Sequence, residues 1–561
     1  MAHSIGKFVP GLMMDSQLTV PTILQRAATV YPQTTIQSRC ADLTVATHTN
    51  AHLYERVLRL MSALTQLGIR PGDTVASFAW NSHRHLELYY AVPSIGAVLH
   101  TVNIRLFPDQ RRYVLEHGEA RVVFADESLL AAVIEAVEGM ANPPEVVVMP
   151  EGPTLTADVP CGAHNYEAIL AASNADEQFP NISENSAASL CYTSGTTGEP
   201  KGVLYSHRSL YLHSLTCCMA DSLGVRESET LMPVVPMFHA NAWGLPYSAG
   251  MTGAALVFPG SHIAARPVAD LIERCKVNCG AGVPTVWNLL FQHLLHHQHD
   301  ISSLKRVICG GAAAPRALIE LTEQQFGVEF LHAWGMTEIS PVGSACVLKA
   351  ADLHKPLEER ITLKTRQGLP VNGVEMRIVD DAGSDLPTDG NHFGELVVRG
   401  PWVAKQYFKR SPEDPEFTSD GWFRTGDVAS IDASGYMLIT DRSKDMIKSR
   451  GEWIASIAME NALASHPSVL EVAVVARPDE LRGEAPAAFV VLKQEAQPVR
   501  AIQLISHLRN SFERWQLPRS KDIHFVGALP RTSVGKIDKK VLRGQIKDAA
   551  NTSQEQLASS D

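Results

Sequence analysis

The chain has 561 residues, 45% of them hydrophobic and 19% charged, with a formal net charge of −11. That length exceeds one compact core and implies a large body with at least one smaller unit, and the composition is that of an ordinary globular chain. The acidic balance disfavours nonspecific nucleic-acid binding, and no apolar run approaches the ~20 residues of a membrane-spanning helix.

The longest apolar stretch, residues 89–99, is broken by Pro93 and Gly96. The first residues, MAHSIGKFVPGLMM, lack the charged-then-apolar layout of a secretory signal. The nine cysteines are scattered, without a C-x-x-C pair. They read as free buried thiols in a reducing compartment, which predicts a cytoplasmic protein.

Taken in chain order, the periodicity predicts a helix over 53–67 and strands over 74–78 and 120–124. This alternation is that of α/β layers. Residues 192–203 then read YTSGTTGEPKGV. Four hydroxyls (Thr193, Ser194, Thr196, Thr197) sit among Gly195, Gly198 and Gly202, with a single lysine, Lys201. Glycines let backbone N–H groups approach an anion closely, while hydroxyls and an ammonium add donors, so the string fits a phosphate cradle. No Walker A spacing can be drawn through it. A polar surface turn is the alternative reading of the same composition. Residues 292–300 (QHLLHHQHD) carry four histidines, which read as a polar surface helix rather than a metal site.

The pattern changes after about residue 439. It predicts a hairpin from 436–440 and 446–448, a helix over 457–463, strands over 469–476 and 487–492, a helix over 502–512, a strand over 523–526 and a last helix from Asp538. These make a compact α+β unit of about a hundred residues, a normal domain size. The tail from Asn551 is polar and is expected to be disordered.

The loop at 192–203 resembles the signature of the AMP-forming acyl-adenylating superfamily: acyl-CoA synthetases, luciferases and adenylation domains. Further segments resemble that superfamily in the right order: MPVVPMFHANAWG (232–244), CGGAAAP (309–315), HAWGMTE (332–338), GWFRTGD (421–427), DRSKD (441–445), KSRGEWIA (448–455) and PRTSVGKID (530–538). Several stretches look most like bacterial medium- and long-chain fatty acyl-CoA synthetases. The resemblance implies an α/β fold with a large multi-subdomain N-terminal body (1–440), a small mobile α+β C-terminal domain (441–550) and the tail 551–561.

It also implies ATP, Mg2+ and CoA as cofactors and co-substrates, and a carboxylic acid activated to an acyl-adenylate and then an acyl-CoA. An aryl acid as substrate, or a carrier protein or amine as acceptor, remains the alternative. A homodimer is the assembly it suggests. Residue by residue, Thr193, Ser194, Gly195, Thr196, Thr197 and Lys201 would hold phosphates. Thr193 and Glu338 would hold Mg2+, and Thr337 would contact phosphate. His239, Trp243, Gly310 and Gly335 would shape the acyl pocket, while Gly311, Ala312, Ala333 and Trp334 would flank adenine. Trp334 replaces a more usual tyrosine, which keeps stacking and loses a phenol hydrogen bond.

Asp427 would accept the ribose hydroxyls, Arg442 would contact ribose or phosphate, and Lys444 would be the hinge. Lys448, Gly451 and Trp453 would line the pantetheine route, with Arg450 standing where many relatives have glycine. Lys536 would be the catalytic lysine, with His239, Glu338 and Thr193 as the other catalytic residues. In isolation His239 reads as a core histidine, and Lys536 as part of a solvated basic helix start with Lys539, Lys540 and Arg543.

Overall fold

The computed structural model describes residues 11–558, apart from 158, 194–198, 412–413, 443, 451, 480, 494–498 and 532–536, with backbone alone for 549–558. Two large sheets form the body. One has seven strands, in the order His164–Asn165, Glu145–Met149, Ala120–Asp126, Thr74–Phe78, Val98–Thr101, Ala187–Tyr192 and Gly202–Ser206. Its strands run parallel except for the last pair.

The other has nine strands, with a parallel centre through Thr230–Pro233, Cys279–Gly282, Arg306–Cys309 and Glu329–Gly335. Helices cover these sheets because their apolar residues recur at helical spacing. In Asn50–Gln66, Leu53, Val57, Leu60, Met61 and Leu64 are buried, and the Thr49 hydroxyl caps the helix by accepting the His52 N–H at 3.3 Å. The helix His83–Ser94 is buried on every side and contacts strands of both sheets. A helix buried all round shows no amphipathic stripe, and the apolar stretch read at 89–99 is the second half of this helix, a turn at Gly96 and the start of the strand Val98–Thr101.

A four-stranded antiparallel sheet follows: Glu375–Val379, Gly394–Arg399, Phe423–Ile431 and Met437–Arg442. The small C-terminal domain holds a five-stranded sheet built on the long pair Val469–Asp479 and Gly483–Leu492. Its own core includes Ile447, Met459, Val474, Val490 and Leu504.

Three local expectations are corrected. Residues 436–440 and 446–448 do not form a hairpin: Met437–Arg442 pairs with Phe423–Ile431, whereas Ile447–Ser449 pairs with Glu452–Ile454. Both segments have strand composition, but composition does not choose a partner. The helix expected over 502–512 is Ala501–Leu508, ending before Asn510 and Ser511, which favour turns. The last helix runs from Lys539 to Ala558, through residues expected to be a disordered tail. Gln554, Glu555, Gln556, Leu557 and Ala558 are good helix formers, so a polar composition was insufficient to end it. Among the cysteines, Cys161 is exposed and Cys218 half-buried, while the other seven are buried; all nine are free.

Candidate active site

The glycine- and hydroxyl-rich loop joins the antiparallel strands Ala187–Tyr192 and Gly202–Ser206, in which Tyr192 faces Gly202. The base of the loop is closed twice. The Thr193 N–H donates to the Lys201 carbonyl at 2.9 Å, and the Lys201 N–H donates to the Thr193 hydroxyl at 3.1 Å. Ser194, Gly195, Thr196 and Thr197 lie outside the described residues. The Lys201 ammonium pairs with Glu416 and sits 4.6 Å from the centre of the Tyr407 ring. The Tyr407 hydroxyl donates to Glu338 Oε1 at 2.8 Å. Burial, with the Glu338 carboxylate beside it, holds the Tyr407 phenol well above its usual range, so it stays a donor.

Glu338 lies in a short turn, Thr337–Ile339, after the strand Glu329–Gly335. That turn is anchored from two sides: the Tyr205 hydroxyl donates to the Thr337 carbonyl at 2.6 Å, and the Ala404 N–H to the Glu338 carbonyl at 2.7 Å. At the end of the strand, Gly335 packs so closely on the returning chain that a Cβ there would fall 1.9 Å from the Pro341 carbonyl oxygen.

The antiparallel register sets Asp427 directly opposite Arg442. Arg442 Nε contacts Asp427 Oδ1 at 2.6 Å, and the Trp334 indole N–H donates to Oδ2 at 3.0 Å. Both carboxylate oxygens are therefore engaged, and Asp427 is only 2% exposed. The tryptophan that was expected to lose a phenol hydrogen bond makes an indole one instead.

His239 opens a segment that sequence reasoning missed. Ala240, Asn241, Ala242 and Trp243 all have positive φ (43°, 52°, 48° and 59°), followed by Gly244 at 71°. Left-handed backbone costs a non-glycine residue roughly 1–2 kcal/mol, so such a run needs support. The Asn241 side chain supplies it by exchanging hydrogen bonds with Ser189 and accepting from the Cys191 thiol at 3.3 Å. His213 packs where a Cβ on Gly244 would lie, 2.6 Å from Nδ1, and its Nε2 accepts the Val342 N–H at 3.0 Å. The run brings the Trp243 indole to the wall beside Gly310, whose own Cβ would sit 3.4 Å from it.

These elements enclose one cavity of about 830 Å³. Thr193, Lys201, His239, Trp243, Gly310, Gly311, Ala312, Ala333, Trp334, Gly335, Thr337, Glu338, Arg442 and Lys444 all line it. A large cleft that brings convergent polar groups together with apolar walls is the form of a small-molecule site.

Comparison with known proteins gives the family. Residues 24–408 match the AMP-binding enzyme family, and residues 458–536 match the AMP-binding enzyme C-terminal domain. The chain belongs to the AMP-binding enzymes. This AMP-binding enzyme is 42% identical to a 3-methylmercaptopropionyl-CoA ligase of Ruegeria lacuscaerulensis, over 96% of its own length and 99% of the relative's. It is 40% identical to a medium-chain-fatty-acid–CoA ligase of Ectopseudomonas oleovorans (96% and 98% covered) and 42% identical to a long-chain-fatty-acid–CoA ligase of Thermus thermophilus (96% and 97%). Its fold is similar to that of an anthranilate CoA ligase solved with anthranoyl-AMP, with a TM-score of 0.83, 27% identity, and 95% and 98% of the two chains covered. The superfamily resemblance read from the motifs holds.

The C-terminal domain of the AMP-binding enzyme supplies the remaining wall, through Arg531, Ile537, Asp538, Lys539, Lys540 and Arg543. Lys536 lies outside the described residues. Lys539, grouped in the sequence with a solvated basic helix start, instead meets Glu460 at 2.8 Å and donates to the Ser456 hydroxyl at 2.6 Å. Nearby, Asp441 accepts the Ser456 N–H at 2.6 Å, and burial pushes its carboxyl up.

Lys448 and Trp453 are exposed on the hairpin Ile447–Ser449/Glu452–Ile454, with the ammonium 5.3 Å from the indole centre. They are not among the residues lining the cavity, and Gly451 lies outside the described residues. Asp427 is likewise absent from the lining, to which its neighbours Gly426 and Arg442 belong. Among the described residues no helix is long and apolar enough to cross a membrane.

Proposed function

We propose that this chain is an acid–thiol ligase that activates an aliphatic carboxylate of medium or long chain with ATP, forming an acyl-adenylate. It then transfers the acyl group to CoA, releasing AMP and pyrophosphate. The observation that carries this reading is the single cavity, which joins a phosphate-type end (Thr193, Lys201, Glu338) to an acyl-type end (His239, Trp243, Gly310). The identity to CoA ligases over nearly the whole chain supports it.

In this reading the adenine lies against Gly311, Ala312, Ala333 and Trp334. The ribose displaces Arg442 from Asp427 Oδ1, and Oδ2, which accepts the Trp334 indole N–H, has a second lone pair for the other hydroxyl. Glu338 and the Thr193 hydroxyl offer hard oxygen donors on the same wall, a donor set that suits Mg2+. Tyr407 engages one Glu338 oxygen and orients the other. Bound there, the ion would neutralise phosphate charge. The carboxylate of the acid, held beside His239, attacks the α-phosphorus in line with departing pyrophosphate, and Lys536 donates to both reacting groups, countering their repulsion.

Thiolation needs a second arrangement, with Lys448, Gly451 and Trp453 brought to the cleft by rotation about Lys444. The boundary near residue 440, a cytoplasmic location and a homodimer belong to the same proposal. A shorter, sulfur-bearing acid is the second reading, favoured by the 3-methylmercaptopropionyl-CoA ligase relative.

A panel of carboxylates with ATP and Mg2+, with and without CoA, tests the proposal. AMP formation with a CoA-dependent thioester is expected, and Lys536→Ala should abolish pyrophosphate exchange. Exchange without thioester would transfer the reading to a carrier-protein or amine acceptor, and ADP as product would end it.

A further inference from the structure

The acyl-type end of the cavity is not uniformly apolar. One wall is the helix Pro284–His296, whose cavity face carries Thr285, Asn288 and Gln292. At 100° per residue these three fall within a 60° sector, and they span about 10 Å along the axis. The other side of the helix is fixed: Trp287, Leu290 and Phe291 are fully buried in the core. The Trp287 indole N–H donates to the Ile308 carbonyl at 3.1 Å, and its ring fills the space over Gly280, where a Cβ would fall 2.6 Å away. The helix therefore cannot roll to present an apolar face instead.

Beside this helix and in contact with it is the helix Arg316–Glu320, which passes into a wider π turn at Leu321–Gln325 and adds Leu318 and Leu321 to the lining. Among the described residues, no hydrogen bond engages the Asn288 or Gln292 side chain. Each amide carries two donors and an acceptor. A plain alkyl chain laid along this face would displace water from both and return nothing. A chain bearing its own hydrogen-bonding group would satisfy them.

We infer that Thr285, Asn288 and Gln292 make this site selective for aliphatic carboxylates that carry a hydroxyl, carbonyl or amide along the chain, over n-alkanoates of equal length. The inference rests on the acid–thiol ligase reading above and adds the chemistry of the chain. Leu318 and Leu321 still contact methylenes, so the substrate is an amphipathic acid rather than a fully polar one.

The test uses the full chain with ATP, Mg2+ and CoA, reading AMP. kcat/KM is measured for n-alkanoates from butanoate to dodecanoate and for the ω-hydroxy and oxo acid of each length. The same panel is run on Asn288→Leu and Gln292→Met; both positions are half-buried, so these changes spare the core. At the matching length the functionalised acid should exceed the alkanoate by about tenfold in the unaltered protein. Each variant should move that ratio at least fivefold toward the alkanoate while the KM for ATP stays constant. Alkanoates preferred at every length, or a ratio the variants leave unmoved, would overturn the inference and leave the ligase reading standing. No AMP from any acid would remove both.

Discussion

Gly335→Ala isolates the tightest packing in the cleft. The added Cβ would meet the Pro341 carbonyl oxygen at 1.9 Å and the Pro341 carbonyl carbon at 2.7 Å, both backbone atoms that cannot rotate aside. Relief requires the strand Glu329–Gly335 to move more than 1 Å from the returning strand Val342–Ala345. That also breaks the hydrogen bond from the Met336 N–H to the Pro341 carbonyl, 3.0 Å long. Overpacking of this kind costs about 1–3 kcal/mol and the lost bond about 1 kcal/mol, so a loss of roughly 2–4 kcal/mol is expected. The same shift displaces Trp334 and Glu338, and a 1 Å misplacement at a reacting centre lowers rates about a hundredfold. Urea midpoints from tryptophan fluorescence, with pyrophosphate exchange in parallel, measure both effects. Midpoints are compared rather than extrapolated energies, because a two-domain chain is not two-state. A Gly335→Ala protein with an unchanged midpoint and unchanged exchange would refute the packing argument.

Arg306 and Glu229 form a buried ion pair at 2.8 Å, with two further arginine hydrogen bonds to the Leu223 and Gly224 carbonyls. Arg306→Met strands the carboxylate and should cost about 3–5 kcal/mol by urea unfolding. Burial pulls His85 and His207 down to about 4 and His100 and His213 down to about 3. Their folded pKa values lie below the unfolded one, so the stability they contribute is complete above about pH 6.5 and falls as the pH drops toward the folded values. At pH 5 the loss is about 2 kcal/mol for each, read as a urea midpoint that declines from pH 7 to 5. Arg450, at φ 55°, should be replaceable by glycine with a gain of about 1 kcal/mol, visible as a higher melting temperature of the C-terminal domain.

The α/β layering was legible because period and composition changed together, as at Thr74–Phe78, where the expected and observed strands coincide. Strand partners were not: nothing in residues 436–448 says that one segment closes the four-stranded sheet and the other opens the five-stranded one. Most of the cleft was legible through short motifs whose residue types suit nucleotide chemistry. Tyr407 and Glu416 were not, since they lie more than sixty residues from Glu338 and two hundred from Lys201, in a stretch with no distinctive spacing. The left-handed run after His239 was equally hidden, because Ala240 and Ala242 carry no sign of positive φ. Only contacts distant in sequence, such as Asn241 with Ser189, explain it.

Four of the cations around the cleft are matched before any anion arrives: Lys201 by Glu416, Arg442 by Asp427, Lys539 by Glu460 and Arg543 by Asp445. A triphosphate entering this space trades with resident carboxylates at these four positions, and each ion pair it makes there is one relinquished elsewhere. Association then liberates few small ions from bulk solution. Nucleotide affinity should therefore respond to ionic strength much less steeply than the number of lysines and arginines around the cleft suggests. Discrimination between ligands at these four positions falls instead on which group can replace each carboxylate at the same distance and angle.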